Sequence, residues 1–229
     1  EDDPYGYIQL NSRFLEEDIT PEQFIKEILP NSYLQYDNSG HVVRLESFSK
    51  TFAPGSRLGF MVGHKDLIKK VIGYATITSR AASGISQLIV NQFILKIGGI
   101  QGWIKWNIKV SKEYTRRKEV LSAALTSSEA GKKGYLRVIE PDAGMFAIVD
   151  FNFPEQESGD YRSLVDEMRY KLLESGVIVT YGKNFAYDET FSKAAKFIRV
   201  TIAAAHDDEE IKLGAERLAQ GVVNYFEDK

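Results

Sequence analysis

Two hydroxyls, an amine and a guanidinium fall within one short stretch: Ser47-Phe48-Ser49-Lys50-Thr51-Phe52-Ala53-Pro54-Gly55-Ser56-Arg57-Leu58-Gly59. An alternating apolar run over residues 41–48 predicts a strand leading into it, and residues 58–62 predict a second strand leading out. Lys50 would then stand at the carboxyl end of a buried strand, where an isolated ammonium is costly to desolvate. Held as a neutral imine, the same lysine carries no such cost. Ser47, Ser49 and Arg57 suit a phosphate, and Pro54-Gly55 is a turn that brings backbone amides close.

The stretch resembles the cofactor-lysine segment of fold type I pyridoxal-phosphate aminotransferases, S-x-[ST]-K-x-x-x-x-G-x-R-x-G, at every fixed position. Taken alone, Asp2-x-x-Tyr5 reads as an acidic surface turn before Pro4. Beside the lysine segment it resembles the family's D-x-x-Y, and the similarity through EDDPYGYIQL is to the aromatic and 2-aminoadipate aminotransferase group. The resemblance implies pyridoxal 5'-phosphate carried on Lys50, its pyridine nitrogen paired with Asp2 and its phenolic oxygen hydrogen-bonded by Tyr5. Ser47, Ser49 and Arg57 would hold the phosphate. Asp3 is the alternative to Asp2, one residue short in its spacing to Tyr5.

Phe197-Ile198-Arg199-Val200-Thr201-Ile202 sets a permanent charge in an apolar strand, and such a charge needs an anionic partner. No acid lies within the strand, so the residues alone leave a structural ion pair or a bound anion open. Family members carry an arginine in the equivalent late strand, gripping the substrate α-carboxylate bidentately. The resemblance gives that role to Arg199. Gly176-Val177-Ile178-Val179-Thr180-Tyr181-Gly182 resembles the family's G-V-x-V-x-P-G, with Tyr181 where Pro is commoner. Arg80, in a loop of small polar residues, reads as a surface arginine or, by the resemblance, as one reaching substrate or cofactor near a neighbouring subunit.

The elements that position these groups are α/β in type. Thr20-Pro21-Glu22-Gln23 is a helix start, with Phe24, Ile25, Ile28 and Leu29 inward and Pro30 as the stop. Residues 37–40 form a turn, 65–74 and 85–97 helices, and 76–84 a loop. Trp103, Trp106, Val110, Tyr114, Arg117, Leu121 and Leu125 recur along one face of a long helix linking two domains. Strands are expected at 135–140, 145–151, 177–181 and 197–202, with a helix over 161–174 capped by Gly176. A last helix starts at Asp207-Asp208-Glu209-Glu210, where acidic residues suit the helix dipole and need no catalytic role. The expected division is residues 1–105, the later part of a large cofactor-binding domain and its sheet, and 106–229, the small α/β C-terminal domain.

With 229 residues, no cysteine and a net charge of −3, nothing suggests disulfides, thiolate metal sites, nucleic acid or an anionic membrane as partner. No GxxxxGK[ST], HExxH or GxSxG occurs. The opening Glu1-Asp2-Asp3 reads as a chain cut inside a domain. Residues 1–229 alone are expected to show little transaminase activity and to expose Val43, Leu45 and Phe60. By the resemblance this is a cytoplasmic, homodimeric transaminase moving an amino group between an aromatic amino acid or 2-aminoadipate and a 2-oxo acid such as 2-oxoglutarate. Lys50 would shuttle the proton between Cα and C4′. A different class shares the lysine segment: the effector-sensing domain of aminotransferase-like transcription regulators. A cofactor-free interaction or regulatory fragment is the third reading.

Overall fold

The computed structural model describes residues 1–228 and divides into two units, Glu1–Glu113 and a second beginning at Tyr114. In the first unit, Asp2 lies opposite Leu45 in a parallel pairing. The Asp3 amide donates to the Leu45 carbonyl at 3.2 Å and the Leu45 amide to the Glu1 carbonyl at 2.8 Å. Two short helices follow, α1 (Arg13–Glu16) and α2 (Pro21–Gln23). The Thr20 hydroxyl accepts from the Gln23 amide at 3.3 Å, and Gln23 Oε1 accepts from the Thr20 amide at 2.9 Å. Such a capping box stabilises the helix start by about 1 kcal/mol.

The helix then widens into one π-turn, Phe24–Ile28. Each residue turns through a smaller angle there, so the inward face differs from that of an α-helix. Phe24 is buried against Phe14 and Ile19, whereas Ile25, expected inward, is exposed. The Asp37 carboxylate accepts from the amides of Val42, Ser39 and Gly40 at 2.7–3.0 Å. These bonds, the Val42 amide first, hold its carboxyl well below the usual carboxylate range.

Strands β1 (Val43–Ser47) and β2 (Gly59–Gly63) pair antiparallel, with Ser47 opposite Gly59. Gly59 is required by close approach: a Cβ there would stand 2.5 Å from the Glu46 carbonyl oxygen. Leu45 and Phe60 are exposed as expected; Val43 is half-buried instead. Helices α3 (Lys65–Ile77), α4 (Gly84–Lys96) and α5 (Gly99–Ser127) follow. Thr76, Ile77 and Gly84 are helical, not loop, and α3 buries none of its residues. Ile72, Tyr74, Ile77, Ile85, Leu88 and Leu95 are all exposed.

Over residues 107–118 helix α5 buries a different face from the one expected, while Leu121 and Leu125 are buried as expected. Asn107, Ser111, Thr115, Lys118, Leu121, Ser122 and Leu125 are buried, while Trp103, Trp106, Val110, Tyr114 and Arg117 are half-buried. The reason is backbone proximity: Ser111 Oγ accepts from the Gln9 amide at 3.1 Å and donates to the Tyr7 carbonyl at 3.2 Å. A small hydroxyl fits between the chains and satisfies buried backbone groups, where a Trp would not fit.

The second unit, entered within α5, holds α6 (Glu129–Lys132), β3 (Leu136–Ile139), β4 (Phe146–Phe151), α7 (Arg162–Glu174), β5 (Thr180–Tyr181), α8 (Glu189–Ala194), β6 (Phe197–Thr201) and α9 (Asp208–Glu227). The strands form one antiparallel sheet in the order β3-β4-β6-β5. Ala147, Val149, Phe151 and Ile198 pack with Val165, Met168 and Leu172 of α7 and Leu218 and Val222 of α9 into the core. Gly176, at φ 79°, ends α7 in the left-handed conformation that glycine favours. The strand expected at 177–181 contracts to Thr180–Tyr181, because only these two residues find partners on β6. The acidic run serves structure: the Asp207 side chain accepts from the Glu210 amide at 2.9 Å, and Asp208 pairs with Arg116.

Candidate active site

Strand β1 delivers Ser47, Ser49 and Lys50 into a turn that β2 closes. The Phe52 and Ala53 amides both return to the Phe48 carbonyl, at 2.9 and 3.1 Å, coiling the backbone just after Lys50. Trp106 Nε1 donates to the Thr51 carbonyl at 2.7 Å, anchoring this turn from α5. Phe48 lies 5.6 Å from Phe60 and 5.8 Å from Trp103, and Phe52 lies 4.8 Å from Phe93. The lysine segment therefore rests on an aromatic floor. Reading Trp103 and Trp106 only as core missed the indole that fixes the backbone one residue past Lys50.

Lys50 is half-buried, and its ammonium stands 5.8 Å from the centroid of the Tyr5 ring. Lys50 makes no ion pair among the described residues. Tyr5 comes from the turn after the paired segment, closed by the Ile8 amide donating to the Tyr5 carbonyl at 2.8 Å. Asp2 is exposed, whereas Asp3 pairs with Arg44 at 3.0 Å. The two adjacent acids are therefore not equivalent. Ser47 Oγ accepts from the Ser49 amide at 3.1 Å. Arg57 is exposed in a left-handed conformation, φ 45°, with Nη1 3.4 Å from the Pro54 carbonyl. The structure thus brings Lys50 and Tyr5 together and leaves the Arg57 guanidinium folded back over its own turn. Arg80 is exposed at φ 63°.

Arg199, in the second unit, projects from the face of β6 opposite to buried Ile198. Its guanidinium carbon lies 4.0 Å from the Phe146 ring centroid and 4.5 Å from that of Phe185. It makes no ion pair among the described residues. Two aromatic faces hold the guanidinium by cation–π attraction, about 0.5–2 kcal/mol each. The alternation of the strand could have revealed the face; Phe185, reached through the turn after β5, could not be inferred from sequence.

The class I and II aminotransferase family matches residues 21–218, and the chain belongs to it. Membership implies pyridoxal 5'-phosphate as cofactor, on a fold type I scaffold. The chain is 35% identical to aromatic amino acid aminotransferase 2 of Saccharomyces cerevisiae, covering 100% of this chain and 49% of that protein. It is 28% identical to the mitochondrial kynurenine/alpha-aminoadipate aminotransferase of Bos taurus, covering 96% and 45%. The crystal structure of the aromatic aminotransferase Aro9 from Candida albicans superposes with a TM-score of 0.94 at 40% identity, over 100% of this chain and 48% of that one. The chain spans about half the length of the curated relatives it matches.

The donor set fits the cofactor in kind. A half-buried amine without a carboxylate partner adjoins a phenol, with an unshielded acid and two hydroxyls on the same pair of segments.

Proposed function

We propose that this chain forms part of a transaminase that moves an amino group between an aromatic amino acid or 2-aminoadipate and a 2-oxo acid such as 2-oxoglutarate. The observation that carries the reading is Lys50, half-buried beside Tyr5 at 5.8 Å without an acidic partner among the described residues. The relatives named above supply the substrate class, being an aromatic and a kynurenine/alpha-aminoadipate aminotransferase.

When bound, the cofactor supplies an electron sink for charge left on the amino acid's α-carbon. Lys50 would hold the cofactor covalently, and its amine would take the proton from the α-carbon as general base. Asp2 keeps a proton on the pyridine nitrogen and Tyr5 donates to the phenolic oxygen. Ser47, Ser49 and Arg57 would bind the phosphate. Arg199 grips the substrate carboxylate as a fork, its plane preset by Phe146 and Phe185.

The enzyme acts as a homodimer, a reading supported by the exposed apolar side chains of α3 and α4. The cytoplasm is the proposed compartment, and a net charge of −3 gives no sign of nucleic acid or an anionic membrane as partner. No helix among the described residues is long and apolar enough to cross a membrane.

Amino transfer from tyrosine, phenylalanine and 2-aminoadipate to 2-oxoglutarate, followed as oxo acid formed by the full-length protein, tests the proposal. Turnover with at least one donor is expected. A protein that carries cofactor on Lys50 yet transfers from none of them overturns it and favours the effector-sensing reading.

A further inference from the structure

Glu1, Asp3, Arg44 and Glu46 form an ionic cluster where the chain's opening segment pairs with β1. Arg44 Nη1 is 2.7 Å from Glu1, Nη2 is 3.0 Å from Asp3 and Nε is 2.5 Å from Glu46. The Arg44 side chain is 13% exposed and that of Glu46 is 5%. The second oxygen of Glu1 accepts from the Ser32 hydroxyl at 2.7 Å. Three carboxylates around one guanidinium leave negative charge in excess, and burial pushes the Glu46 carboxyl up despite Arg44. Well-packed apolar residues would serve stability as well or better. The cluster is better suited to specifying an arrangement than to strengthening one.

That arrangement is the register. Alternation puts Arg44 and Glu46 on one face of β1, and Glu1 and Asp3 on one face of the segment beside it. Asp2, opposite Leu45, takes the other face, the one that Ser47 shares with Leu45. A slip of one residue would exchange Asp2 and Asp3. Beyond the cluster the two segments lead to Tyr5 and to Lys50, which meet at 5.8 Å.

We propose that Arg44 is a positioning residue: by gripping Glu1 and Asp3 it selects Asp2 as the free acid of the site and holds it in register with Ser47 and Lys50. This rests on the cofactor reading above and deepens it.

The test is a double-mutant cycle in the full-length enzyme between Arg44→Met and Asp2→Asn, with Arg44→Lys and Asp3→Asn alongside. Single-turnover rates and the pH titration of the bound chromophore are the readouts. Arg44→Met is expected to keep cofactor on Lys50, to slow the half-reaction about tenfold or more with KM within about twofold, and to move the titration midpoint. Arg44→Lys recovers part of the rate. In the Asp2→Asn background Arg44→Met costs less than about threefold, because both act through one carboxylate. Asp3→Asn, which loosens the same grip, is milder than Asp2→Asn. Effects of Arg44→Met and Asp2→Asn that multiply, or an Arg44→Met enzyme with normal rate and spectrum and only a lower Tm, overturn the positioning role alone. Should Arg44→Met not fold, Arg44→Lys takes its place in the cycle, and the same comparison decides. Wild-type enzyme in which borohydride fixes no cofactor on Lys50 overturns the cofactor reading, and is scored before any variant.

Discussion

The ammonium of Lys50 lies 5.8 Å from the centre of the Tyr5 ring, though 45 residues separate them in the chain. Neither residue is placed by its own neighbours alone. Tyr5 is carried by the parallel pairing of Asp2 with Leu45, and Lys50 by the coil after β1 that Trp106 anchors. A cofactor linked to Lys50 would therefore meet the phenol through two supports that share β1.

Lys50→Ala in the full-length protein should abolish the covalent attachment of the cofactor. Borohydride reduction of wild type followed by peptide mass spectrometry should place the adduct on Lys50. An adduct on any other lysine removes the assignment, and with it the mechanism.

Arg199→Lys should weaken amino acid and oxo acid binding alike while cofactor content stays the same. An ammonium cannot reproduce the planar fork, and a charge-assisted hydrogen bond contributes about 1.5–3 kcal/mol. Phe185→Ala should give a smaller loss in the same direction, through looser orientation of the guanidinium. Calorimetric titration with a non-reacting substrate analogue measures both; unchanged affinity in Arg199→Lys would refute the carboxylate role.

Glu140 offers a stability test separate from catalysis. Its carboxylate accepts from the Ser122 hydroxyl at 2.5 Å and from Lys118 at 3.2 Å, and these bonds, Ser122 first, lower its pKa below the ordinary value. A depressed folded-state value means the contribution is present above the unfolded pKa and is lost as pH falls through the folded one. Glu140→Gln should thus lower Tm at neutral pH by a small amount, since the group is half exposed. The difference from wild type should shrink as both are acidified below the carboxylate range. A gap that persists or grows there would contradict the linkage.

Residues 1–229 produced alone should bind a hydrophobic dye, self-associate, and show little or no amino transfer. The motivation is the row of exposed apolar side chains on β2, α3 and α4, among them Phe60, Ile72, Tyr74, Ile77, Ile85 and Leu88. Sedimentation and cofactor absorbance on the purified chain decide it. A monodisperse monomer with full cofactor occupancy and normal turnover would sink the expectation.

What the sequence by itself determined was local. The lysine segment lies in a short turn, so its hydroxyls, amine and arginine keep their spacing whatever the rest of the fold does. Helix starts at Thr20 and Asp207 and the stop at Gly176 depend on hydrogen bonds or dihedrals within a few residues, and they stand where the sequence puts them. Strands β3, β4 and β6 of the second unit were legible for the same reason, through alternation and turn residues. Only the tertiary structure decided between Asp2 and Asp3 as the unshielded acid, because the choice rests on Arg44, 41 residues from Asp3. It also decided that Arg199 rests between two aromatic rings, that residues 177–179 are not strand, and that α5 buries hydroxyls rather than indoles. Each of these depends on which backbone or ring approaches from elsewhere in the chain, and periodicity along one element carries no record of that.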